Sequence, residues 1–455
     1  MTHRTTDSRI AIVGAGPAGL SLAWYLSQLG FTSVELFDSA AEPGGQSHTV
    51  DVDGTPIEMG TCYLSDGYII AREIADAAGT PAKRLPPPSF VDAHGKVYPP
   101  SMPSTWLIVR YLLHWFWWYL GGQMGRPTRP ANALPFDAWL RQVGLGELAT
   151  SSVFADACTA QLYGPVPDVT AHNGLSWVRP SLLLTGIRED TAHIPAGFQN
   201  MWRRLASKLG YRMRLGCAVS EVRPAADGQG VNVILADSSA TERFDHVFVA
   251  CPLDGTAVNN GVGVRTPLSA LLRDGYAPFD DTPVYSAIWR ASAWPSEVPS
   301  RCYLPACADG ERGRLLTIRQ YATTGSDWIG QLCAYAVLPK SGDPEQSTLG
   351  DTRDRIVRDM KEIVGLRDVQ ILQDRVWRYS IRYSGEQLKQ QLPGAISKFQ
   401  GIGNVWYSGG GLSHWDVDMI SNFSQSLAWR FAGSVGMSLF ARLRIVQLKD
   451  LIRDL

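Results

Sequence analysis

The 455-residue chain has no C-x-x-C pair, no H-x-x-x-H and no H-E-x-x-H. Its seven cysteines, Cys62, Cys158, Cys217, Cys251, Cys302, Cys307 and Cys333, are odd in number and scattered. That argues against a disulfide framework or a zinc site, fits a reducing compartment, and leaves no metal site expected. An excess of charge is also missing. Lys and Arg number 42 against 43 Asp and Glu, a net charge of −1, so nucleic acid is not an expected partner. No uninterrupted apolar run reaches the ~20 residues a membrane span needs. The nearest approach, "TWLIVRYLLHWFWWYLGG" from Thr105 to Gly122, is broken by Arg110 and His114. The opening "MTHRTTDS" has no apolar core, so no signal peptide is expected and the protein reads as cytoplasmic. Repeats and low-complexity tracts are absent. The length points to two domains, contiguous or interleaved, with 45% hydrophobic and 19% charged residues, an ordinary globular balance.

What is present begins at "SRIAIVGAGPAGLSLAWYLSQLGFTSVELFD". Arg9 to Val13 reads as a buried strand. Gly14, Gly16 and Gly19 follow at G-x-G-x-x-G spacing. The first permits a tight turn, the second lets backbone approach a pyrophosphate, and the third lets the helix pack on the strand. Pro17 and Ala18 open that helix, whose N-terminus favours phosphate, and Gly30 ends it. Ser33 to Phe37 is a second strand with Asp38 at its end, where an acid can bond a ribose hydroxyl. Strand, loop, helix, strand and acid stand in register, which predicts a bound dinucleotide.

Gly44-Gly45-Gln46 follow within a few residues of the acid, then a hairpin turning at Asp53-Gly54. "LPPPSF" breaks the pattern at Leu85 to Phe90. From there to about Asp190 the chain reads as mostly helical and aromatic. After His193-Ile194-Pro195 a helix begins at Gly197, followed by alternating short strands and a buried strand from Asp245 to Ala250. Near the end "NVWYSGGGLSHWD" gives a strand, a glycine-rich turn and a helix. The last stretch, "LFARLRIVQLKDLIRDL", is amphipathic and reads first as a surface helix. A cofactor gripped by glycine turns from separate segments is long and enclosed, which favours FAD over NAD. The expected fold is α/β: a discontinuous, three-segment Rossmann-type FAD-binding domain with an inserted α+β substrate domain. Its FAD-binding segments are 1–85, 193–255 and 395–455. A helical, aromatic-rich substrate segment, 86–192, and a second substrate segment, 256–394, lie between them.

Gly14, Gly16, Gly19, Asp38, Gly44 and Gly45, with "NVWYSGGGLSHW", resemble the N- and C-terminal signatures of the flavin amine oxidase superfamily. Within it the chain resembles the bacterial polyenoic fatty acid isomerases, through "PIEMGT", "FVDAHGKVYPP", "LPFDAWL", "LYGPVPDV" and "RVWRYS". The resemblance implies that Gly14 to Gly19 cradle the pyrophosphate, Asp38 the ribose, and Gly44, Gly45 and Gln46 the pyrophosphate and ribityl chain. Gln46 stands where the superfamily commonly has Arg or Lys. Val219, at the start of a strand, would meet the adenine. Ser408, Gly409 and Gly410 would approach the pyrophosphate. His414 and Trp415 would flank the isoalloxazine at a helix start, or merely cap and pack that helix. No attachment cysteine is evident, so FAD is expected to be non-covalent.

The resemblance also implies hydride transfer between flavin N5 and a carbon, with the flavin itself as the catalytic group. Such chemistry needs orientation and a dry pocket more than acid–base groups. Trp115, Tyr163, Trp177 and Trp377 are the candidate substrate-binding residues, although aromatics mostly build core. The isomerases carry a carboxylate-holding arginine just before F-x-x-x-x-G. The matching place here is Pro88, with Lys83 and Arg84 nearby, which counts against a free fatty acid. Arg179, Arg188, Arg378 and Arg382 are read as anion holders or, more simply, surface ion pairs. Three functions stay open: a double-bond isomerase or desaturase of a lipophilic unsaturated molecule, an oxygen-using amine or amide oxidase, and a flavin-binding scaffold without turnover. The Thr105–Gly122 helix likewise has three readings: core helix, wall of a substrate tunnel, or peripheral membrane contact.

Overall fold

The computed structural model describes residues 5–65, 67–124, 126–181, 183, 191–253, 263–305, 312–337, 345–414 and 416–442. Its organising element is a five-stranded, all-parallel sheet. The strand order is Arg212–Arg214, Val34–Phe37, Ile10–Val13, His246–Val249 and Val405–Tyr407. Ile10–Val13 and Val34–Phe37 are buried on both faces, as strands covered by helices on either side must be. The sheet is thus assembled from three distant stretches of chain, each supplying strands at its centre or edge.

The crossover helix Pro17–Gln28 has Pro at its first position, where a missing N–H costs nothing. It packs against the helix Val417–Ser434, with Ser21 and Ser421 hydroxyls 2.9 Å apart in the contact. The hairpin Thr49–Val52/Thr55–Glu58 turns on Asp53 (φ +53°) and Gly54 (φ +82°), the two left-handed residues its sequence calls for. Helix Phe198–Leu209 starts after Gly197 (φ +88°), and the whole unit is the α/β, Rossmann-type fold expected.

The second layer is a seven-stranded sheet. Its order is Gln370–Arg382, Asp280–Ala291, Asp327–Tyr335, Leu315–Thr324, Arg301–Tyr303, Ser89–Val91 and Val97–Tyr98. Period-two alternation sorts its long central strand. Tyr285, Ala287 and Trp289 pack with Ile356 and Met360 of the helix Glu345–Glu362. Ser286 and Ile288 face the other way: Ser286 donates 2.7 Å to the Met59 carbonyl, and Ile288 packs on Ile57 and Met59. That second face brings the inserted sheet against the dinucleotide unit. The region 86–192 is largely helical, as expected, but "FVDAHGKVYPP" forms an edge hairpin of this sheet. The helix Thr105–Gln123 packs Tyr111 and Trp115 into a core with Phe136, Trp139, Leu140 and Leu175. Of the C-terminal amphipathic stretch, Leu439–Arg442 is helical and the remainder lies outside the described residues.

Candidate active site

The largest cavity, about 560 Å³, lies at the carboxyl ends of the parallel strands. Gly14, Gly16, Pro17, Ala18, Asp38, Gly45, Gln46, Val219, Gly409 and Gly410 line it. The two glycine segments abut: a Cβ on Gly16 would sit 3.6 Å from Gly45 Cα. Gly16 is the N-cap of the first helix and offers no side chain to its first-turn N–H groups, so that helix end stays open to an anion. Asp38 is pinned by the backbone N–H groups of Ala15 (2.6 Å) and Ala40 (2.8 Å) at the cavity edge. A glycine cradle, an open helix end and an acid at the far end fit a flavin dinucleotide.

Gly19 and Gly44 do not line the cavity. A Cβ on Gly19 would overlap the Gly14 carbonyl oxygen, and one on Gly44 would lie 2.8 Å from the Ser47 oxygen. Both are glycines of close packing. Gln46 donates 3.1 Å to the Arg378 carbonyl. Where the resemblance leaves Gln46 in place of a cation, Arg375 and Arg378 of the strand Gln370–Arg382 bring cations to the same cavity. Arg375 lies 3.9 Å above the Trp377 ring. Burial, then Arg375, lowers the pKa of His48 beside them, favouring a neutral ring.

A smaller cavity, about 70 Å³, shares Thr61 and Val417 with the large one. Tyr63, Tyr68, Leu85, Tyr163, Arg301 and Arg319 are among its walls. Arg301 and Arg319 stand directly opposite each other on antiparallel strands. Like charges in that relation destabilise a sheet. Neither has a carboxylate within ion-pair distance among the described residues. Arg301, 6% exposed, donates to Thr191, Tyr303 and the Pro86 carbonyl, and Arg319 to Tyr321. Glu58, which feels Arg319, is driven up to about 8 by burial, against its bonds from Phe198 N–H and Thr49, so it is a weak counter-charge at neutral pH. Burial also pushes the Cys62 thiol up to about 11 and the phenols of Tyr63, Tyr68 and Tyr163 well above their usual range. All four stay neutral.

Behind Tyr163 lies a buried ion cluster. Arg179 pairs with Asp416 (3.5 Å) and Asp418 (3.2 Å), and His414 Nδ1 lies 3.0 Å from Asp416. Burial alone would raise Asp416, but Arg179 and then His414 bring it down to about 2. Asp416 also caps the helix Val417–Ser434, accepting from the N–H groups of Asp418 and Met419. The positive end of that helix is therefore already occupied by a carboxylate.

Several expectations are corrected by these positions. Arg179 is a buried ion pair and not a surface one. Trp377 lines the large cavity with the dinucleotide residues and donates 2.9 Å to Ser286. Trp115 donates 3.0 Å to the Leu175 carbonyl inside the helical core, and Trp177 packs behind Tyr163 at 4.1 Å; neither lines these cavities. His414 sits on a third, narrow recess with Tyr163 and Gly410. The Thr105–Gln123 helix contributes no wall to these three cavities. Trp415 and Arg188 lie outside the described residues. Lys83 and Arg84 are exposed on an edge strand. The sequence reading missed Arg301 and Arg319; their signal was an arginine in each of two otherwise apolar strand runs, "RCYL" and "LLTIRQY".

Comparison with known proteins agrees with this architecture. The profile of the NAD(P)-binding Rossmann-like domain matches residues 12–76. Polyenoic fatty acid isomerase of Ptilota filicina is 23% identical over 353 residues, 68% of each chain. Hydroxyneurosporene desaturase of Rubrivivax gelatinosus is 38% identical over 85 residues, 19% of this chain and 16% of that one. The crystal structure of a CLA-producing fatty acid isomerase from P. acnes superposes with a TM-score of 0.75 at 21% identity, covering 94% of this chain and 99% of that one. The profile of the flavin containing amine oxidoreductases matches residues 172–414, more than half of the sequence. With a glycine cradle beside a second cavity, the chain belongs to that family of flavin enzymes.

Proposed function

We propose that the protein binds FAD non-covalently and moves a double bond in a lipophilic, unsaturated substrate that carries a carboxylate. The observation that carries this reading is the pair Arg301 and Arg319, two facing cations with no carboxylate at ion-pair distance among the described residues, on the wall of a cavity adjoining the dinucleotide site. An anion between them would convert their repulsion into two charge-assisted contacts. Leu85, Leu162, Ile318 and Val417 supply apolar wall for a hydrocarbon chain.

FAD is supported by the continuity of the large cavity from Asp38 and Val219 to Gly409 and Trp377. Gly14, Gly16 and Gly45 would receive the pyrophosphate, and Arg375 and Arg378 would offset its charge. The cysteines on that wall are Cys217 and Cys251. Burial, then Asp38, pushes Cys251 up to about 12, so its thiol stays protonated, which favours a non-covalent flavin. The three FAD-contacting segments are then 1–85, 193–255 and 395–455, with Trp377 and its neighbours reaching in from the substrate sheet.

When bound, the flavin supplies a hydride acceptor and donor. The chain's own part is positional. Arg301 and Arg319 fix how deep the substrate enters, so that one stretch of its hydrocarbon faces the shared wall at Thr61 and Val417. Tyr63, Tyr68 and Tyr163 remain neutral hydroxyls. Asp416, the acid on this wall, is locked in its ion cluster and low in pKa, a poor base near neutral pH. A small cavity whose acid is already engaged suits isomerisation first and desaturation second. Oxidation at a C–N bond is the alternative the family name raises, but two cations in the pocket repel a protonated amine.

Anaerobic titration of the holoprotein tests this reading. Polyunsaturated free acids should perturb the flavin absorbance at far lower concentration than their methyl esters or alkyl amines of equal length. Tighter response to amines than to acids would reject it.

A further inference from the structure

The helix Thr105–Gln123 has two apolar faces, and the fold uses one of them. Tyr111 and Trp115 are buried, with Tyr111 donating 2.8 Å to the Val178 carbonyl and Trp115 to that of Leu175. On the other side Trp106 (66% exposed), Val109, Leu113 and Trp117 (60% exposed) recur every three or four residues, one stripe along the helix. It runs about 16 Å from Trp106 to Trp117 at ~1.5 Å per residue. Met102 before it and Met124 just after it are exposed as well.

The charge along this stretch of the chain has one sign. From Ala93 to Phe136 the sequence contains no Asp or Glu, while Lys96, Arg110, Arg126 and Arg129 are all basic, in a chain whose charges otherwise balance. Lys96, Arg126 and Arg129 are exposed. Arg110 is turned inward, donating 3.1 Å to the Val143 carbonyl, so it does not interrupt the stripe. No described helix is long and apolar enough to cross a membrane.

We infer that this helix lies flat in the headgroup boundary of an anionic phospholipid bilayer. Trp106, Leu113 and Trp117 would be inserted, with the basic residues on lipid phosphates. Two tryptophans on the outward face suit a surface that is apolar below and wet above. The stripe exposes on the order of 500 Å², short of the ~800 Å² per partner of a stable protein interface, whereas a bilayer needs no matching shape. Docking there would hold the enzyme where lipophilic substrates partition.

Flotation of the flavin-loaded protein with vesicles tests the inference. It should co-float with phosphatidylcholine vesicles containing phosphatidylglycerol, less so in high salt, and brominated acyl chains should quench part of its tryptophan emission. The triple variant Trp106→Ser, Leu113→Ser, Trp117→Ser should bind about ten-fold weaker or less, while keeping its flavin and melting temperature. Wild-type protein that stays at the bottom of the gradient overturns the inference. So does a wild-type dimer that the triple variant converts to monomer without any vesicle binding, since the stripe would then serve a second copy. Neither readout involves turnover, so the proposed chemistry stands or falls separately.

Discussion

Replacing Arg319 by Met isolates the anion contact, because Arg319 has little structural work in the described residues beyond a 3.3 Å bond to Tyr321. A unit charge about 4 Å from a carboxylate contributes about 4 kcal/mol at an effective dielectric of about 20. Measured losses for one partner of a desolvated charge pair run about 2–5 kcal/mol. Arg319 is half-buried and Arg301 remains, so the low end applies, about 2 kcal/mol or ~30-fold in Kd. Arg301→Met, at a more buried position, should cost more. The assay is titration of the flavin spectrum with a saturated fatty acid and with its methyl ester. For Arg319→Met the acid should weaken ~30-fold while the ester changes by less than about two-fold. Ligand-free stability should not fall, since the change relieves repulsion between facing cations. Equal weakening of acid and ester, or of neither, refutes the placement of the carboxylate.

Three further outcomes follow from the geometry. Gly16→Val should fold, because its Cβ has room, yet purify with little flavin; Gly19→Ala should instead lose soluble protein, and a flavin-replete Gly16→Val would place the pyrophosphate elsewhere. Arg179→Met should destabilise the fold by about 3–5 kcal/mol, read by denaturant melts, because the buried Asp416 and Asp418 both lose their guanidinium partner. Burial raises the Glu58 pKa from 4.5 to about 8, so the folded state holds that proton more tightly. Its contribution is full below about pH 4.5 and fades as pH rises through about 8, and Glu58→Gln should flatten that part of the stability–pH curve.

The dinucleotide half was legible because its constraints are local. Gly14, Gly16 and Asp38 act through backbone turn, helix end and strand end within one short stretch, and each position has its own steric reason. Gly44 shows the limit of that reading, since packing glycines and ligand-facing ones look alike in sequence. The substrate half was less legible because its geometry is long-range. Arg301 faces Arg319 only through strand register, and Arg179 reaches Asp416 across 237 positions. Trp115 and Trp377 carry the same side chain. Only the fold decides that one braces a helical core and the other lines a cavity wall.

The central claim is hydride chemistry at carbon without net oxidation. Its most direct test follows oxygen uptake, peroxide and double-bond position together while the enzyme acts on a polyunsaturated free acid. The account predicts shifted double bonds, undiminished when oxygen is excluded, with no peroxide. Product that forms only with oxygen, alongside equivalent peroxide, would contradict it and make the protein an oxidase.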